Sequence, residues 1–364
     1  GAPAWYHPPS PSATGRNAPA ARGTQDIMAS DPRIPLRRLV LAALALVAVV
    51  VAALWVALAQ GDARHAGASA DVPEPAADLI VPNDRTVKAD LLDRLEQPPQ
   101  VLIFGGSRAT RFAPAYLEKL TGLRGFNLAL QNGRPEDAWA FLNHLRTTRP
   151  GIRPHVVWFI HVEAFRKQGL SVGLVQDARL SRYFPDDLIA AEREKLPRTK
   201  AQMPAGRDLA LTTYGPDGVV LRNRYDIRAE DGYTLDRALA WSIDRATERY
   251  ATTTPALDPR STEYFEKSLD LLDRLGRTPV IVFMPIHPAL LDAVRPLGWE
   301  ERHREVLAYL HSLQQKYDFI VLDLSELASV RGDPDAFYDG FHMTASNARR
   351  VLDTVVTEAP QAFE

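Results

Sequence analysis

The chain of 364 residues contains no cysteine, which excludes a disulfide framework, a Cys-ligated zinc or iron–sulfur site and a thiol nucleophile. It also lacks an excess of either charge. Against 43 Lys plus Arg stand 45 Asp plus Glu, a formal net charge of -2, which argues against a chain-wide surface for nucleic acid or polyphosphate. Tryptophans are scattered, without the aromatic pattern of single-strand binders. Neither a GxxxxGK[ST] nor a GxGxxG loop occurs, the histidines form no HExxH pair, and no carboxylate run has EF-hand spacing, so neither a metal nor a cofactor is expected. What remains is ordinary globular composition, 46% hydrophobic and 24% charged, with enough length for one large domain or two small ones.

One long apolar run is present. Leu39–Ala59 carries no charge over about 21 residues, roughly 31 Å as a helix, the thickness of a bilayer's hydrocarbon core. Arg33, Arg37 and Arg38 precede it, so the positive-inside rule puts the N-terminus in the cytoplasm and everything beyond Gln60 outside it. A buried core helix is the alternative, and Ala57-Leu58-Ala59 also offers an A-x-A cleavage site, although the run exceeds a usual signal-peptide h-region. The expected organisation is a disordered cytoplasmic tail over 1–36, an uncleaved signal anchor over 37–60, and a tether over 61–95. A domain over 96–364 follows, interrupted by an insertion over about 167–259. Met28-Ala29-Ser30, followed by arginines and the apolar run, has the form of a natural translation start.

The main domain alternates short apolar runs with amphipathic stretches. Strands are expected at Gln100–Phe104, Gly125–Leu130, Val156–Ile160, Pro279–Met284 and Phe319–Leu322. Helices are expected at Ala113–Thr121, Glu136–Arg149, Ser261–Leu275, Glu300–Tyr317 and Ala345–Val356. That alternation is the signature of an α/β fold with a parallel sheet covered on both faces. The insertion, with helical pattern only near Pro185–Lys195 and Leu235–Tyr250, reads as a cap near the C-terminal strand ends, either a substrate-defining lid or a decoration.

Two constellations carry chemistry. Gly105-Gly106-Ser107-Arg108-Ala109-Thr110 puts a serine at the first strand-to-helix turn, where following backbone N–H groups can hold an oxyanion. A helix N-cap and a phosphate loop are the alternatives. Near the C-terminus, Asp339 and His342 are spaced to let the carboxylate hold Nδ1–H of the imidazole and turn Nε2 toward a hydroxyl. Arg108 and Arg111 flank the serine as anion-binding or merely solvated arginines, and His287 is either a pocket residue or a structural one.

These motifs resemble those of the SGNH/GDSL hydrolase superfamily, over about Gln100–Glu364 apart from the insertion. Gly105-Gly106-Ser107 resembles the first block, with glycine where the GDS form has aspartate. Gly133, in the run from Asn127, resembles the second, and Asp339-Gly340-Phe341-His342 the fifth. The third block departs: Ile160-His161-Val162-Glu163 has no asparagine, leaving Asn132 and His161 as candidate replacement donors. The resemblance implies a flavodoxin-like three-layer fold with Ser107 as nucleophile, His342 as general base, Asp339 as its orienting partner and the Gly133 N–H as an oxyanion donor. It is similar to the membrane-anchored DltD and alginate-acetylation (AlgJ/AlgX-like) branches. That implies an extracytoplasmic serine acyl esterase or O-acyltransferase acting on acyl groups of cell-envelope polysaccharide. Expected partners are the membrane, the glycan or acyl donor, and a membrane-bound acyltransferase, with no nucleic acid. The alternative is a catalytically weak glycan-binding or assembly subunit of an envelope-modification system.

Overall fold

The computed structural model describes residues 83–196, 212–250 and 257–364, so the expected tail, anchor and most of the tether lie outside the described residues. Among the described residues no helix is long and apolar enough to cross a membrane.

Among the described residues the strands, in chain order, are β1 (Val101–Phe104), β2 (Gly125–Asn127), β3 (His155–Ile160), β4 (Thr213–Tyr214), β5 (Val220–Arg222), β6 (Val280–Phe283) and β7 (Ile320–Asp323). Five of them form one parallel sheet in the order β2-β1-β3-β6-β7, while β4 and β5 make a small antiparallel hairpin inside the insertion. Side chains on a strand alternate between faces, and the two cores divide accordingly. Leu102, Phe104, Val156, Trp158, Ile281 and Phe283 enter one core; Val101, Ile103, Val157, Phe159, Val280 and Val282 enter the other. A sheet apolar on both faces must be covered on both.

Helical stripes supply the cover. Pro135–Thr148 presents Ala138, Phe141, Leu142 and Leu145 to the first core, and Ala345–Glu358 presents Ala348, Val351, Leu352 and Val355 to the second. Both stripes follow the i, i+3, i+4, i+7 spacing of an amphipathic helix. Full burial of a side chain such as Phe141 stabilises the fold by roughly 1.5–3 kcal/mol. From β1 the chain winds to β2 on one side and then to β3 on the other. The direction of winding therefore reverses between β1 and β3, and a crevice opens beyond their C-terminal ends.

Two expectations need correction. The last part of the tether is ordered: Asp84–Asp93 is a helix capped by the Asn83 side chain, with Arg85, Lys88, Ala89 and Leu92 buried. Lys88 Nζ donates to the Asn127 and Ala129 carbonyls and to Asn127 Oδ1, and burial pulls its pKa down to about 7. The second strand also stops at Asn127 rather than Leu130. There the buried carboxamide donates to the Ala109 and Phe112 carbonyls while its oxygen accepts from Lys88 and the Ala129 N–H, binding β2 to the segment that follows Ser107.

Candidate active site

Ser107 stands three residues beyond β1, at the start of a 3-10 turn over Ser107–Ala109. The close approach of β3 requires glycine just before it. A Cβ on Gly105 would lie 2.8 Å from Ala109 Cβ and 2.9 Å from the Phe159 carbonyl oxygen. The first amides of a helical turn have no partner inside it, so the Ser107 and Arg108 N–H groups open the turn as donors beside the hydroxyl.

The Asp339–His342 loop is closed by an antiparallel bridge between Phe337 and Met343. Ser242, on the insertion helix Leu235–Tyr250, accepts the Gly340 N–H at 3.2 Å, and the Gly340 carbonyl accepts the His287 N–H at 3.0 Å. His287 Nδ1 accepts the Ala289 N–H and so caps the helix Pro288–Val294. It supports the loop, as the structural alternative had it.

The loop and the turn meet at the crevice. His342 Nε2 lies 3.0 Å from Ser107 Oγ, and Nδ1 lies 2.9 Å from each Asp339 carboxylate oxygen. Asp339 Oδ1 also accepts the Phe341 and His342 N–H groups at 2.8 Å. Burial pushes the Asp339 carboxyl upward, but the His342 charge and hydrogen bond, with the two backbone donors, more than offset this and hold it below the usual carboxylate range. An ionised Asp339 fixes the tautomer with Nδ1–H, which leaves the Nε2 lone pair for a hydroxyl proton.

The oxyanion side differs from what the resemblance implied. The Gly133 N–H donates to the Leu130 carbonyl at 3.0 Å, closing a turn in which Asn132 is exposed with φ +50°. Gly133 is required by packing instead, because a Cβ there would collide with the Gly105 carbonyl oxygen. The turn is held from below by Arg85, whose guanidinium grips Asp137 with two bonds of 2.9 Å and donates to the Gln131 carbonyl at 3.0 Å.

His161, one residue beyond β3, occupies the facing position. An ideal Cβ on Gly106 would stand 3.7 Å from His161 Nε2. Burial, then the charges of Arg108, Arg166, Arg249 and Arg134, lower its pKa well below the usual histidine value, so the imidazole is neutral at pH 7. Since Nδ1 accepts the Glu163 N–H at 3.2 Å, the proton sits on Nε2, which is thereby a donor on the Gly106–Ser107 side.

A cleft of about 760 Å³ contains Ser107, His161 and His342 and is bordered by the insertion. Its charge is lopsided. The wall carboxylates Asp84, Glu163 and Asp339 are paired to Arg85, Arg249 and His342. Arg108, Arg228 and Arg245 make no ion pair among the described residues, and each guanidinium instead lies over a ring, those of Phe341, Tyr233 and Trp241 respectively. Burial weakens the proton affinity of Arg108, and Glu163 partly counters it; a guanidinium stays charged in either case. Arg111, by contrast, turns away from the serine and binds the insertion through the Leu221 carbonyl, Asn223 and Asp226.

Tyr225, which carries no motif, also reaches His342. Its hydroxyl lies 3.1 Å from His342 Nε2, and its ring packs on the imidazole with centroids 4.4 Å apart. Burial and then the Asp339 charge push the phenol up to about 12, so it is protonated at neutral pH. The chain matches no protein-family profile and no curated protein.

Proposed function

We propose that the protein is an extracytoplasmic serine acyl esterase or O-acyltransferase of SGNH type, acting on acyl groups of cell-envelope polysaccharide. The observation that carries this reading is the closed hydrogen-bond chain from Ser107 through His342 to an ionised Asp339 at the sheet's switch point. The parallel-strand order, 2-1-3-4-5 when the hairpin is left out, supports the flavodoxin-like form of the fold. Surplus guanidinium groups in the cleft suit an anionic glycan or the phosphate of an acyl donor. The apolar run Leu39–Ala59 and its arginine flank support a single-pass anchor with a cytoplasmic N-terminus, a place beside the glycan, and a membrane-bound acyltransferase as partner.

In this mechanism His342 Nε2 takes the Ser107 proton as Oγ bonds to the acyl carbonyl carbon. The oxyanion is held by the turn's N–H groups and by His161 Nε2–H, which stands in for the asparagine missing from the third block. The bond to the leaving oxygen then breaks, that oxygen takes the proton from Nε2, and an acyl-Ser107 ester remains. An acceptor hydroxyl, from water or from glycan, gives its proton to Nε2 and attacks the ester; Oγ leaves and recovers the proton. Turnover of p-nitrophenyl acetate and labelling by a serine-directed phosphonate test the reading. Ser107→Ala should abolish both, and labelling at another residue or unchanged turnover would refute it.

A further inference from the structure

His342 Nε2 has one lone pair in the neutral tautomer, yet two hydroxyls stand at hydrogen-bond distance from it, Ser107 Oγ at 3.0 Å and Tyr225 Oη at 3.1 Å. Arg224 Nη2 donates to Tyr225 Oη at 3.0 Å, so the phenol's own hydrogen is the one available to the imidazole. The position is built. Asn223 Oδ1 accepts the Tyr225 N–H at 2.9 Å, Asp226 Oδ2 accepts the Asn223 N–H at 2.8 Å, and Tyr338 donates its hydroxyl to Asp226 Oδ1 at 2.9 Å. Arg111 reaches Asp226 from the segment after Ser107 and holds the Leu221 carbonyl at 2.7 Å. Tyr225 itself is 8% exposed, and its protonated state at neutral pH makes it a donor rather than a base.

We propose that the Tyr225 hydroxyl guards the catalytic base against water, which biases the enzyme from hydrolysis toward acyl transfer. The inference rests on the serine acyl reading. Before acylation, Ser107 and Tyr225 share Nε2. Once Oγ carries the acyl group it has no proton, and the phenol alone occupies the lone pair. A water molecule must displace that hydrogen bond to be deprotonated, and as one small molecule it has few contacts with which to offset the loss. A glycan acceptor held along the arginine-lined cleft brings binding energy from remote contacts, which is available to displace the phenol at the reacting centre. In either displacement the acceptor oxygen forms the new acyl bond, its proton passes to Nε2 and on to the departing Ser107 Oγ, and Tyr225 keeps its own proton.

The test acylates the full-length protein with p-nitrophenyl acetate and follows acetyl-Ser107 by mass spectrometry after acid quench. Tyr225→Phe keeps the ring and removes only the hydroxyl. Its acetyl-enzyme should decay in water about tenfold faster than the native one, the worth of one hydrogen bond on the base. Arg111→Met, which loosens the frame around Tyr225 but keeps its hydroxyl, should speed decay in the same direction by less. A Tyr225→Phe acetyl-enzyme that decays no faster than the native one overturns the guard, as does equal decay in Arg111→Met if the first variant does not fold. Native samples that turn over the ester without acetyl on Ser107, or that do not turn it over, overturn the serine reading itself.

Discussion

On the sheet side of the cleft, Ser107 stands three residues past β1 and His161 one residue past β3, so the parallel ladder fixes both to within a turn of backbone. On the insertion side, Tyr225 follows a three-residue strand and opens a seven-residue helix. Its place is set by polar contacts from Arg111, Asn223 and Tyr338. The first wall inherits its geometry from buried apolar strands, whose loss would cost the whole fold. The second depends on a few side-chain bonds, each worth about 1 kcal/mol net. On the proposed reading, the chemistry sits on the rigid sheet, and the selectivity sits on an insertion open to adjustment without unfolding the core.

Substitutions at graded distances from the ladder sharpen that contrast. The largest loss is expected for Ser107→Ala, on the order of 10⁶-fold in kcat, as when a triad nucleophile is removed. Asp339→Asn should follow at about 10⁴-fold, since the imidazole loses the partner that fixes its tautomer. His161→Phe, which removes one oxyanion donor, should cost about 10²–10³-fold in kcat with little change in KM; a loss confined to KM would assign His161 to ground-state binding instead.

Arg111→Met should leave the unfolding free energy from urea titration within about 2 kcal/mol of native and raise amide exchange over residues 220–230 while β1 and β3 stay protected. Equal exchange in both regions would erase the distinction between the walls. The smallest effect is electrostatic. The folded Asp339 pKa is held below the ordinary value of 3.8, so the unfolded chain binds more protons as pH falls through that range. Its stabilising contribution is complete above about pH 5 and is lost progressively as pH falls from about 4 through the lower folded pKa. The stability gap between native protein and Asp339→Asn, from urea titrations, should therefore be larger at pH 7 than at pH 3.

Much of the sheet wall was legible in the sequence. Apolar runs and their helical partners announced the parallel sheet, and Gly105-Gly106-Ser107 and Asp339-His342 are local patterns that a turn and a short loop express directly. Tyr225 was not legible, because what singles it out is a contact with His342 across 117 positions and its flanks, Asn223 and Asp226, look like an ordinary capping pair. Asp84–Asp93 was missed for another reason. Its buried positions Arg85, Lys88, Ala89 and Leu92 follow helical core spacing, but two of them are cations, so hydrophobic periodicity does not reveal the stripe. The ligands that make those cations tolerable, the Asn127 and Ala129 carbonyls and the Asp137 carboxylate, are far away in sequence.

Lys88 is enclosed, with 0% exposure, and spends every N–H on acceptors around the end of β2. An amine-reactive reagent reaches it only when the Asp84–Asp93 helix lets go of that edge. The rate at which Lys88 is modified, compared with an exposed lysine such as Lys195, therefore reports the free energy of opening there. The protein carries its own chemical gauge of how firmly the Asp84–Asp93 helix is docked.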